Sequence, residues 1–211
     1  HALRVRFWRN HVVVCGLGQK GLLLVRAFLH HGARVVAIER DPDNEHVAAC
    51  RDAGALVFVA SATDVAALTK ARAGQARYLV AVCDDDGTNA EVVLHSRELA
   101  WSRPARGAPL TCFAHIMEPR LCDLLREREI ERHTEHHFRL EFFNVFESGA
   151  RALLEAHPPA PRDGTAPHPL VVGLGRLGQG LVREMLRQRA RLEGVGGRLT
   201  RISVLDTAAT E

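Results

Sequence analysis

Between residue 12 and about residue 127, short runs of β-branched residues alternate with longer stretches whose apolar positions recur at helical spacing. The short runs, at 12–15, 34–39, 56–60, 78–83 and 110–114, read as strands. The stretches between them, at 19–31, 44–53, 64–73, 87–100 and 118–127, read as helices. Gly32, Gly54 and Gly74 stand at three successive helix ends, where each is expected to supply the left-handed residue that closes a helix. Regular alternation of this kind predicts a parallel sheet with crossover helices.

After residue 127 the pattern changes. "REREIERHTEHHFRLEF" is charged, with room for at most one strand, and 142–156 then predicts a helix with Phe143, Phe146, Ala150, Leu153 and Leu154 on one side. Five prolines and a glycine fall in 157–169, so 157–168 reads as a linker. A run of valines follows, then a helix with Leu177, Leu181, Val182, Met185 and Leu186 on one face, then a strand at 201–206. That is one βαβ unit.

Composition narrows the partners. With 28 Lys and Arg against 25 Asp and Glu, the net charge of +3 makes no field that nominates nucleic acid. No apolar run reaches the length of a membrane span and no signal peptide is evident, so the chain is expected to be soluble. It starts at His1 without a methionine, and the pattern at its end is cut short, which reads as an excised piece of a longer polypeptide. Five cysteines without a CxxC pair suggest reduced, mostly buried thiols and a cytoplasmic setting.

The candidate chemistry lies in "HVVVCGLGQKG", 11–21, where Gly16, Gly18 and Gly21 form GxGxxG at a strand-to-helix turn. In this fingerprint the first glycine makes the turn, the second admits a pyrophosphate to the backbone, and the third lets helix and strand pack closely. Phosphate then meets open amides at a helix N-terminus. Glu39 ends the next strand, 18 residues past Gly21, in position to accept hydrogen bonds from ribose hydroxyls and to oppose a 2′-phosphate. "PLVVGLGRLGQG", 169–180, repeats the device with Gly173, Gly175 and Gly178, and Asp206 ends the strand that follows.

Catalytic machinery is harder to find. The tyrosine-lysine pair of short-chain dehydrogenases needs its members four residues apart on a helix, but Tyr78 is the only tyrosine and Val82 stands four residues on. The histidines of "HTEHH" read as a solvated surface, with metal binding the sharper alternative. Asp84, Asp85 and Asp86 follow the fourth strand, where they meet ribose, an amine or a cation, or where Asp86 caps the next helix.

Four elements together resemble the RCK, or TrkA-N, domains that regulate potassium channels and transporters. "HVVVCGLGQKGLLLVRAFLHHGARVVAIERDPDN" is similar to the family's first βαβ unit, and Ala60 to Asp64 stand where it carries "GDATD", with Ser61 in place of the acidic residue. Asp85, Asp86 and Asn89 match its "DDxxN", and "PLTCFAHIMEPRLCDLL" looks like its fifth strand and helix.

The resemblance implies an α/β chain: a Rossmann-like doubly wound parallel sheet with a crossover helix, followed by the first βαβ unit of a second such domain. Its expected parts are an upstream linker at 1–10, a first domain at 11–141, the crossover helix at 142–156, the linker, and the start of a second domain at 169–211. It further implies a sensor without catalytic activity that binds NAD(H) or an adenine nucleotide (ATP, ADP or AMP). The ligand residues would be Gly16, Leu17, Gly18, Gln19, Lys20, Gly21, Glu39, Arg40, Asp41, Ala62, Thr63, Asp64, Cys83, Asp84, Asp86 and Asn89. In the second copy they would be Gly173, Gly175, Arg176, Leu177, Gly178 and Asp206. The implied partners are a second copy, as a homodimer or larger ring, and a membrane cation channel or transporter at the inner face of the membrane, in the same polypeptide or another. Two other readings stay open: a fragment of an NAD-dependent oxidoreductase, and a ligand-free scaffold for assembly.

Overall fold

The computed structural model describes residues 5–102, 108–130, 137–159, 166–193 and 201–207. The chain divides into two compact units, His1–Phe143 and Asn144–Glu211. In the first, β1 (Val12–Cys15), β2 (Val35–Glu39), β3 (Leu56–Val59), β4 (Tyr78–Ala81), β5 (Leu110–His115) and β6 (Phe138–Phe143) form a six-stranded parallel sheet in the order β3-β2-β1-β4-β5-β6. The helices are α1 (Gln19–His30), α2 (His46–Asp52), α3 (Val65–Lys70), α4 (Asp86–Trp101) and α5 (Pro119–Ile130). From β1 the chain winds outward to β3, then returns at β4 on the other side of β1. That reversal opens a crevice at the carboxyl ends of β1 and β4, the place where doubly wound sheets take ligands.

The inner strands are mostly apolar because both faces are covered, with Glu39 at the end of β2 and Thr111 and His115 in β5 as the polar exceptions. All four residues of β1 are buried. Val13, Cys15, Val36 and Ile38 lie in one core with Leu68 of α3 and Val92 and Val93 of α4. Val12, Val14, Val35 and Ala37 lie in the other, with Val25 of α1 and Val47 and Cys50 of α2. Ahead of β1, Val5 is fully buried, the Arg34 guanidinium lies 5.1 Å from the centre of the Trp8 ring, and Arg72 Nε donates to the Trp8 carbonyl at 3.2 Å.

Three local expectations are corrected. Gly32 and Gly54 close their helices with φ of +76° and +103°, but α3 is closed by Arg72 at φ +54°. Gly74 is small for another reason: a Cβ there would lie 2.4 Å from the Leu99 carbonyl oxygen of α4. Phe142 and Phe143 belong to β6, paired with Ala114 and His115, rather than to the helix expected at 142–156. Asn144 starts that helix instead, accepting from the amides of Phe146 and Glu147. Asp85, not Asp86, caps α4, accepting from the Thr88 amide at 2.7 Å and the Thr88 hydroxyl at 2.6 Å.

The second unit consists, among its described residues, of α6 (Val145–Ala156), β7 (Leu170–Val172), α7 (Arg176–Glu193) and β8 (Ser203–Leu205), with β7 and β8 parallel. Leu154, Val171 and Met185 make its small core with Leu181, Val182 and Ile202. Leu177 and Leu186, read on the same helix face as Met185, stay about half exposed, as does Leu153 of α6. Buried Glu147 on α6 is paired with Arg183 of α7 at 3.1 Å, so a desolvated carboxylate has its cation.

Candidate functional site

The first glycine turn is built as its spacing predicts. Gly16 has φ +94° and its amide donates to the Ile38 carbonyl at 2.9 Å, which splices the turn to the end of β2. A Cβ on Gly16 would come within 3.0 Å of the Cys83 backbone. On Gly21 it would lie 2.0 Å from the Gly16 carbonyl oxygen, so this third glycine is required for packing and not for ligand contact. Gly18 is the N-cap of α1 and has open space, with Asp84 Oδ1 4.0 Å from where a Cβ would sit.

Glu39 anchors the turn from the next strand. Its Oε2 accepts from the Leu17 amide at 2.6 Å and its Oε1 from the Asp41 amide at 2.9 Å. Around this anchor lies a cleft of about 330 Å³ lined by Gly16, Gly18, Ile38, Glu39, Arg40, Asp41, Asn44, Ser61, Ala62, Thr63, Val82, Cys83, Asp84, Asp85, Thr88 and Glu91. Ser61 and Thr63 share a hydroxyl hydrogen bond of 2.9 Å at its rim, and Asp64 next to them caps α3 through the Ala66 amide. Burial pushes the Cys83 thiol up to about 11, with the negative charges of Glu39, Asp84 and Asp85 adding to the shift, so the thiol is protonated at neutral pH. Hydrogen bonds from Thr88 hold the Asp85 carboxyl below its ordinary range.

Of the residues expected here, the turn glycines Gly16 and Gly18, Glu39 to Asp41, Ala62, Thr63, Cys83 and Asp84 share this cleft. Leu17, Gln19, Lys20, Gly21 and Asp64 stand beside it, outside its lining. Asp86 and Asn89 are turned to the fold: the Asp86 carboxylate accepts from the amides of Met117 and Glu118 at 2.7 and 3.0 Å. Fully buried Asn89 accepts from the Cys83 amide and donates to the carbonyls of Cys83 and His115. These two side chains hold the ends of β4 and β5 together. Asp85, offered with its neighbours as a group to meet ribose, an amine or a cation, lines the cleft, and Asn44, Thr88 and Glu91 line it without having been singled out as ligands; the spacing of Asp85, Thr88 and Glu91, three residues apart at a helix start, is the signal that places them on one side.

The second turn repeats the first in detail. Gly173 has φ +91°, its amide donates to the Leu205 carbonyl at 2.8 Å, and a Cβ on Gly178 would lie 2.0 Å from the Gly173 carbonyl oxygen. Asp206 accepts from the Leu174 amide, as Glu39 does from Leu17. Its surroundings differ: Arg176 lies over the Phe146 ring at 5.8 Å, Leu177 Cδ1 is 3.8 Å from where a Cβ on Gly149 would sit, and nothing stands within 4 Å of a Cβ on Gly175. Of the "HTEHH" run, residues 133–136 lie outside the described residues; among the described ones no cluster of metal-ligating side chains occurs.

Comparison with known proteins places this geometry. The chain is 35% identical over 81 residues to the glutathione-regulated potassium-efflux system protein KefC of Salmonella enteritidis PT4, a stretch that is 38% of this chain and only 13% of KefC. Its fold is like that of GsuK bound to ADP (TM-score 0.63, 18% identity, 94% of this chain and 44% of that one) and of the GsuK channel bound to NAD (0.61, 15%, 87% and 45%). It is also like the Shewanella denitrificans Kef CTD in AMP-bound form (0.50, 18%, 87% and 94%). A family model for the TrkA-N domain matches residues 12–132, more than half of the chain, and the chain belongs to that family.

Proposed function

We propose that the first unit is a nucleotide-binding regulatory module for potassium transport, taking NAD(H) or an adenine nucleotide at the Gly16 turn. The observation that carries this reading is the cleft at the reversal of strand order, with the Gly16 turn, Gly18 and Glu39 on one side and Ser61 to Thr63 and Asp84 on the others. It is a crevice shaped for ribose and phosphate. Membership of the TrkA-N family, the likeness to KefC, and the nucleotides named with GsuK and Kef support it. Ligand binding would favour one of two arrangements of the module, and a membrane channel or transporter, coupled to a dimer or larger ring of such modules, would respond to that preference. Regulation of this kind breaks no bond.

Calorimetry across NAD⁺, NADH, AMP, ADP and ATP tests the reading: saturable binding without turnover is expected. Gly18→Asp should abolish it with the fold intact, because the position has room for a side chain but the new carboxylate would sit on the phosphate path beside Asp84. Glu39→Ala should weaken binding and loosen the turn together, since the same carboxylate holds the Leu17 amide. Absence of heat with every nucleotide would remove the proposal.

A further inference from the structure

Nucleotide sites of this architecture meet phosphate with free amides and the positive end of a helix dipole. Here the balance is reversed. Glu39, Asp41, Asp84, Asp85 and Glu91 line the cleft against a single guanidinium, that of Arg40, which leaves five negative groups to one positive, a net of four negative charges. The Leu17 amide, in the middle of the glycine turn, is already held by Glu39 Oε2 at 2.6 Å, so one of the turn's own anion donors is taken by an internal anion. Hydrogen bonds from Thr88 favour the ionised Asp85, and the protonated Cys83 thiol adds no charge of its own.

We propose that the cleft selects its ligand by phosphate charge, accepting adenine ligands of low net charge, such as NAD⁺ and AMP, and rejecting metal-free ATP, with Asp84 and Glu91 as determinants of that selection. The inference rests on the nucleotide-binding reading above and sharpens it. NAD⁺ carries about −1 and AMP about −2 at neutral pH, since a phosphate monoester's second pKa is near 6, whereas ATP carries about −4. Each added ligand charge meets the same surplus. Asp84 and Glu91 are exposed, so the repulsion acts through solvent and is sensitive to salt. Acting through solvent, two extra ligand charges against several carboxylates reach roughly a tenfold difference in affinity.

The test is titration calorimetry of the whole chain with AMP, NAD⁺ and ATP in a chelator that removes divalent cations, at low and high salt. AMP and NAD⁺ should bind roughly ten times more tightly than ATP at low salt, and the gap should close as salt shortens the screening length. In Asp84→Asn combined with Glu91→Gln the gap at low salt should narrow about threefold or more, a change in ratio that loss of structure alone would not produce. ATP binding as tightly as AMP at low salt overturns the charge selection and leaves the nucleotide-binding reading standing. A gap that neither salt nor the double substitution moves also overturns it, and failure of all three ligands to bind removes both.

Discussion

A methyl group on Gly21 would lie 2.0 Å from the Gly16 carbonyl oxygen, and one on Gly178 would lie 2.0 Å from that of Gly173. Backbone cannot yield there as a long side chain can, so Gly21→Ala should destabilise the first unit by about 1–3 kcal/mol, the range for overpacking a tight contact. Chemical denaturation would measure it; a cost below about 0.5 kcal/mol would show that helix and strand are not so closely packed. Gly18→Asp belongs to a different class, because its space is open and its consequence falls on the ligand. The spacing of the glycines announced these separate roles, and only the size of the contact at Gly21 waited for the structure. Gly74 shows where reading by residue type stops: it follows a helix as Gly32 and Gly54 do, but the left-handed position is taken by Arg72, and Gly74 is small because α4 passes over it. A neighbour 25 residues further along the chain leaves no local signal.

At the scale of elements, β1, β2 and β4 were legible because burial on both faces makes each a nearly continuous apolar run, and β5, interrupted by Thr111, was legible from its remaining apolar positions. β6 was not: its residues Phe138 to Phe143 alternate with Arg139 and Glu141, follow a charged run, and end where a helical pattern has begun. Its pairing with β5 decides the boundary that periodicity left at residue 142. The segment before β1 shows what an element scale adds to a single titrating group. His11 is buried, its Nε2 donates to the Ala71 carbonyl at 2.8 Å, and among the described residues its Nδ1 has no hydrogen-bond partner. Burial lowers its pKa below 6.5; the Ala71 carbonyl opposes this, and the charges of Arg34 and Arg72 assist it. The unfolded chain therefore takes up the proton first, and stability present above about pH 6.5 is lost as pH falls below that value toward the folded pKa. His11→Gln keeps a donor for Ala71 without the titration, so its melting temperature should fall less than wild type between about pH 7 and about pH 5.5. Equal slopes would place the acid sensitivity elsewhere.

For the molecule as a whole, the two units carry the same turn with different amounts of cover. Ile38 and Leu205 occupy matching places, each giving its carbonyl to the first glycine of its turn, yet Ile38 is 0% exposed and Leu205 60%. Ile38→Ala should therefore cost about 2–5 kcal/mol and Leu205→Ala less than about 0.5 kcal/mol, read from denaturant unfolding of each variant. Comparable losses at both positions would mean that the second sheet is covered in solution. The sequence by itself determined the parallel α/β class, the order of its strands along the chain, both glycine turns and the carboxylates paired with them. These follow from local periodicity and from spacings within one βαβ unit, where cause and signal lie within a few tens of residues. Only the tertiary structure decided that Asp86 and Asn89 brace the ends of β4 and β5, that Thr88 and Glu91 join the cleft, and that its charge is mostly negative. Those facts depend on which strand ends come together at the reversal of the sheet, and residues at or just past the ends of four strands meet there only once the sheet has formed.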